Sequence, residues 1–253
     1  MTRTATIAGR PGGHAAVLAR TALVRAAALA AVCAGCALGF LAAGPAHLFS
    51  GGAGALEPAV TGLGAVAAGL GCRSELTRHA KAAVGRRSER RVAARLERLG
   101  ATAVIHGAML GAGGDTDHIV LGPLLAVVET KTGSGQVHAS EGKLHAGRRT
   151  ILGDPVAQVR RQAAALGRLC GQQPFPVVCI PDMTNRPFET SGVVVCSEAD
   201  LASVLRAAPA VLAPLRAAEL AARLSTPDLA TGRRPAGAAA RGVQGRRPLN
   251  GAA

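Results

Sequence analysis

The densest chemistry in the chain lies in Asp117-His118-Ile119-Val120-Leu121-Gly122-Pro123-Leu124-Leu125-Ala126-Val127-Val128-Glu129-Thr130-Lys131. If a turn centres on Pro123, antiparallel pairing sets Leu121 opposite Leu125, Ile119 opposite Val127 and Asp117 opposite Glu129. Opposed residues share a face with Cβ atoms ~5 Å apart. Asp117 and Glu129 are then neighbours, and Lys131, two residues on, joins their face. Two such carboxylates repel unless a cation lies between them or a proton is shared. A hard divalent ion suits oxygen donors of this kind, and Mg²⁺ (or Mn²⁺) takes few carboxylates, with substrate phosphate and water completing its shell. The backbone carbonyl of Thr130 offers a further ligand. The metal generates hydroxide and neutralises charge on a phosphate, while Lys131 stabilises that charge and orients the attacking water. Phosphodiester hydrolysis is the reaction these parts fit. Spacing alone also describes a surface hairpin on which Lys131 screens two acids.

Helical text flanks this hairpin on both sides. Val92, Ala93, Leu96 and Leu99 recur at helical spacing, with Gly100 as a stop, and Glu89 projects from the edge of their stripe. An acid at that boundary is usually avoided unless a metal or basic group is near. Asp154-Pro155 caps a second helix running to about Cys170, and Gln158 borders its Val159, Ala163, Leu166 stripe. Thr102–Ile105, Pro176–Ile180 and Gly192–Cys196 read as further strands, with helices after Glu198 and from Val211 to Leu224. Alternation puts His118 on the face opposite Asp117, in a structural role. His106, His138 and His145 have no ligand spacing and are assigned nothing.

In chain order, Gly85-x-x-x-Glu89 on a helix, Asp117-His118 on a strand, Glu129-Thr130-Lys131 on the next and Asp154-Pro155-Val156-Ala157-Gln158 opening a helix resemble the nuclease-related domain, NERD. That domain is a branch of the restriction-endonuclease-like PD-(D/E)XK superfamily, and the resemblance covers about residues 82–207. It implies an α/β fold with a restriction-endonuclease-like central mixed β-sheet flanked by helices. It also implies that Asp117 and Glu129 are metal ligands, Lys131 the catalytic lysine, Gln158 the residue orienting water or phosphate, and Glu89 the helix acid. The chain departs from the family at Lys143-Leu144-His145, where an aromatic is usual, and at Arg87-Ser88-Glu89, where Gly more often precedes the acid.

The rest of the chain supplies context. Net charge is +14, from 26 Arg and only three Lys against 15 acids, which implies a polyanionic partner, nucleic acid or an anionic membrane surface. With four Phe and no Trp or Tyr, an aromatic platform for stacked bases is nearly excluded. The six cysteines read as reduced small apolar residues, Cys33-x-x-Cys36 included. No charged side chain occurs between Arg25 and Glu57, and the apolar runs Ala26–Ala43 and Pro58–Cys72 suggest a transmembrane helical hairpin preceding the domain. A single span and a cleaved signal peptide are the alternatives. Arg3, Arg10, Arg20 and Arg25 before the first run, and Arg73, Arg78 and Lys81 after the second, place both flanks and the nuclease-like domain in the cytoplasm.

The expected organisation is a basic segment at 1–25, an anchor at 26–72, a basic linker at 73–81, the nuclease-like domain at 82–207, a helix at 208–225 and a disordered basic tail at 226–253. The leading expectation is a membrane-anchored, Mg²⁺-dependent nuclease acting on DNA, its basic segments also able to touch anionic lipid. The alternative is a non-catalytic nucleic-acid- or protein-binding module of the same fold.

Overall fold

The computed structural model describes residues 6–8, 13–43, 56–110 and 114–225. The expected turn between the apolar runs, residues 1–5 and 9–12 of the basic N-terminal segment and the tail at 226–253 lie outside them. Two helices come first, α1 over Gly13–Ala43 and α2 over Leu56–Glu97. They run antiparallel. Cys36 meets Gly64, Leu29 meets Gly71, and the imidazole of His79 bonds the carbonyl of Ala19 at 2.8 Å. Gly71 makes this approach close: a Cβ there would stand 3.0 Å from Leu29 Cδ1, which would have to give by a few tenths of an ångström.

The two-span anchor expected from sequence is not what the structure contains. Among the described residues one helical stretch, Ala16–Gly39, is long and apolar enough to cross a membrane. It begins well before Ala26 because the helix runs through Arg20 and Arg25. The second apolar run, Pro58–Cys72, falls short for two physical reasons. At ~1.5 Å per residue it spans only ~23 Å of a ~30 Å core, and glycines dilute it before Arg73 and Glu75 follow. It is the first part of α2, which continues unbroken through the basic stretch, so residues 73–81 are helical rather than a loose linker.

The central sheet is built from β1 (Thr6–Ala8), β2 (Ala103–Met109), β3 (Asp115–Leu121) and β4 (Leu125–Thr130). The chain then makes β5 (Ser134–Gly135), β6 (Val137–Ser140), β7 (Lys143–Ala146) and β8 (Arg149–Thr150), and the helix α3 (Pro155–Cys170). It returns through β9 (Phe175–Cys179), β10 (Asp182–Met183), β11 (Phe188–Thr190) and β12 (Val193–Cys196), and ends in α4 (Glu198–Ala207) and α5 (Pro214–Leu224). The main sheet has the order β1-β2-β3-β4-β9-β12-β11. Pairing is antiparallel across β2-β3-β4 and β12-β11, and parallel at β1-β2, β4-β9 and β9-β12. The mixed sheet expected from the resemblance is therefore present, with helices on both faces.

Alternation along the strands divides the core in two. Ile105, Ile119, Leu121 and Val127 point to the face covered by α3 and α5, where Val159, Ala163, Leu166 and Leu220 meet them. Val104, Val120, Ala126 and Val128 point the other way, onto Val92, Leu96, Leu201 and Leu205 of α2 and α4. Leu144, where the family's aromatic would fall, is fully buried in the α3-side core. Arg91 ties α2 to the far side of the sheet through Asp182 at 2.8 Å and Glu198 at 2.7 Å.

Candidate active site

The β3–β4 hairpin has the register that a turn at Pro123 dictates: Leu121 pairs with Leu125, Ile119 with Val127 and His118 with Val128. One step further, Asp117 and Glu129 occupy the open end of the hairpin. Their parity with Ile119 and Val127 turns both toward α3. The helix is aimed by its N-terminus, where the Asp154 carboxylate accepts the Ala157 N–H at 3.1 Å and Pro155 opens the first turn. A side-chain cap of this kind contributes about 1 kcal/mol.

Four expected residues come together here. Lys131 Nζ lies 2.8 Å from Glu129 Oε1 and donates to Gln158 Oε1 at 3.0 Å. The Thr130 N–H donates to Asp117 Oδ2 at 2.7 Å. Glu129 is 2% exposed, so its charge depends on these partners. Glu89 approaches from α2 on the other layer, and its charge is felt at Asp117. Among the described residues no three His, Cys, Asp or Glu side chains gather in metal-ligand geometry.

Asp117 is held well above the ordinary carboxylate range, first by burial, then by the charges of Glu129 and Glu89; the Thr130 N–H and Lys131 pull the other way. The Glu129 and Glu89 charges raise the cost of ionising Asp117 by more than the Thr130 N–H and Lys131 offset. The pair is thus short of positive charge, and its donors are all oxygen.

Gln162 belongs to the same cluster and was not anticipated. Its amide donates to Glu129 Oε2 at 2.9 Å and to the Asp115 carbonyl at 2.7 Å. Both partners are acceptors, so the amide cannot be reversed. Its Oε1 is left buried with no partner, an arrangement that costs about 1–3 kcal/mol unless offset. The readable signal was a glutamine one helical turn after Gln158, inside the Val159, Ala163, Leu166 stripe rather than at its edge.

Behind the hairpin, His118 points away from Asp117, as alternation requires, and is fully buried. Its Nδ1 lies 2.8 Å from Nδ1 of His106; His118 Nε2 is 3.3 Å from Thr130 Oγ1, and His106 Nε2 is 3.3 Å from Glu97 Oε1. One tautomer set satisfies every contact with both rings neutral: Thr130 hydroxyl to His118, His118 to His106, His106 to Glu97. Burial holds both imidazoles below the usual histidine range, with Glu97 partly restoring His106.

The unfolded chain binds protons as pH falls through about 6.5, whereas the folded chain does not, so stability contributed by this pair is lost below that pH. We expect the thermal midpoint of the metal-free chain to fall between pH 7.5 and 5.5. A midpoint that held constant or rose on acidification would contradict the neutral buried pair.

Comparison with known proteins fits this arrangement. The family model described as the nuclease-related domain, NERD, matches residues 84–188, which run from just before Glu89 to the start of β11 and contain every site residue above. No curated protein and no solved structure matches the chain. Over residues 84–188 this chain carries a nuclease-related domain, a family consistent with the PD-(D/E)XK superfamily.

Proposed function

We propose that the domain is a divalent-metal-dependent nuclease that hydrolyses phosphodiester bonds of DNA. The observation that carries this reading is the placement of Lys131 against Glu129 and Gln158, beside Asp117 with its raised pKa, at the open end of the β3–β4 hairpin. Asp117 and Glu129, with the carbonyl of Thr130, would hold Mg²⁺ or Mn²⁺, a set of the size Mg²⁺ accepts from protein. When bound, the ion supplies a hydroxide at neutral pH and offsets charge on the phosphate. Lys131 places its ammonium where phosphate charge builds, and Gln158 fixes that ammonium while its amide N–H groups orient water or a phosphate oxygen. Gln162 and Thr130 hold the two carboxylates in place. Exposed Arg160, Arg161 and Arg168 on α3, with Lys143, Arg148 and Arg149 beside it, supply phosphate contacts whose strength falls with salt.

The membrane part of the proposal rests on α1. Pairing of β1 with β2 sets Thr6–Ala8 beside the domain, so α1 enters the bilayer from the side that carries the domain. The basic N-terminal flank makes that side cytoplasmic.

One observation favours a non-catalytic module instead: both Glu129 oxygens already have protein partners. The test is cleavage of supercoiled, linear and single-stranded DNA by the full chain with Mg²⁺, Mn²⁺ or EDTA. Metal-dependent cleavage that disappears in Glu129→Ala, with DNA binding kept, is the expected result. Undiminished cleavage by Glu129→Ala defeats the assignment. Salt-sensitive DNA binding without calorimetric uptake of Mg²⁺ or Mn²⁺ selects the non-catalytic module.

A further inference from the structure

The closed end of the β3–β4 hairpin carries a second charged feature, on the face away from α3. Arg95 of α2, Arg98 in the turn that follows it and Arg206 of α4 line a recess of about 210 Å³, with Leu99 and Ala202 as its apolar wall. Among the described residues none of the three guanidinium groups has a carboxylate partner. Arg95 is half-buried, and its Nε is enclosed with no acceptor. Leu99 and Arg206 also border a neighbouring groove of about 340 Å³, walled by Gly122, Pro123, Leu124 and Leu205.

Helix dipoles explain part of this. Arginines in the last turns of α2 and α4 offset the negative helix ends. That effect needs no convergence, and it leaves the buried Nε of Arg95 without an acceptor. Three like charges around one recess are stable when an anion sits among them, and guanidinium forks match phosphate oxygens.

We propose that Arg95, Arg98 and Arg206 form a phosphate-binding site, separate from the carboxylate edge, which takes inorganic phosphate or the phosphate group of a soluble monoester. The site lies on the opposite sheet face and at the opposite hairpin end from Asp117 and Glu129, so the phosphate it holds is not the one being cleaved. A lipid headgroup does not reach it. Ala82 of α2 lies beside the start of the Ala16–Gly39 span, Arg95 is about 20 Å farther along the helix, and headgroup layers are only ~5–7 Å deep. In an ester, the adjoining groove takes the organic part.

The test is calorimetry on the full chain in detergent and EDTA, titrated with inorganic phosphate and, separately, with a nucleoside 5′-monophosphate. Saturable binding is expected, weakened about tenfold or more in Arg98→Gln/Arg206→Gln, whose side chains are exposed, and retained in Lys131→Ala. Binding about tenfold tighter for the nucleotide identifies an ester as ligand, and equal binding identifies inorganic phosphate. The proposal is overturned by an absence of saturable binding, by an unchanged affinity in the double arginine variant, or by loss of binding in Lys131→Ala.

Discussion

Replacing Lys131 by Ala is expected to slow metal-dependent cleavage by about 10²–10³-fold, the range for removing one preorganised group that meets transition-state charge. The argument is geometric. The ammonium is pinned between Glu129 Oε1 and Gln158 Oε1, so it costs no reorganisation at the moment of reaction. DNA binding should change little, because the exposed arginines of α3 remain. Lys131→Arg restores the charge but not the position, since a planar guanidinium cannot occupy the place of a compact ammonium. It should recover little rate. The measurement is single-turnover cleavage with saturating chain, beside a binding titration at the same salt. Equal rates for wild type and Lys131→Ala would remove the lysine from the chemistry, while a parallel loss of binding and rate would make it a docking residue.

What the sequence discloses and what it hides follow the range of the interactions. The hairpin register was readable because a tight turn at Gly122-Pro123 fixes it locally, and it carries Asp117, Glu129 and Lys131 to one edge with no knowledge of the remaining fold. Gln158 was readable because Asp154-Pro155 marks the helix start four residues earlier. The His106–His118 pair was not, because it depends on the β2–β3 register, and the three glycines between Met109 and Asp115 admit more than one turn. Gln162 was hidden by the habit of reading a polar residue in an apolar stripe as an interruption. No break in the backbone marks the expected boundary between anchor and domain, because composition changes sharply at Arg73 while the helix does not. Backbone hydrogen bonding propagates through such a change, since neither Gly nor Arg breaks a helix already supported by packing on α1.

Asp117→Asn is expected to abolish cleavage and, in EDTA, to make the chain more stable. Asn keeps an oxygen to accept the Thr130 N–H, so the hydrogen bond at 2.7 Å survives. What disappears is a buried charge facing Glu129 and Glu89. Because folding raises the pKa of Asp117, its ionised form opposes folding at pH 7, and that penalty is relieved as pH falls through the raised value. The thermal midpoint should rise, by about 2–4 °C for each kcal/mol of repulsion relieved in a chain of this size. Acidification acts on Asp117 with the opposite sign to the histidine pair: its penalty is relieved as pH falls through its raised pKa, whereas His106 and His118 lose stability below about 6.5. Mg²⁺ should stabilise the wild-type chain and leave Asp117→Asn nearly unchanged, since binding energy enters stability only where the folded site holds the ion. A variant less stable than wild type in EDTA would show that Asp117 is a structural anchor of the hairpin rather than a charge kept under strain for a metal.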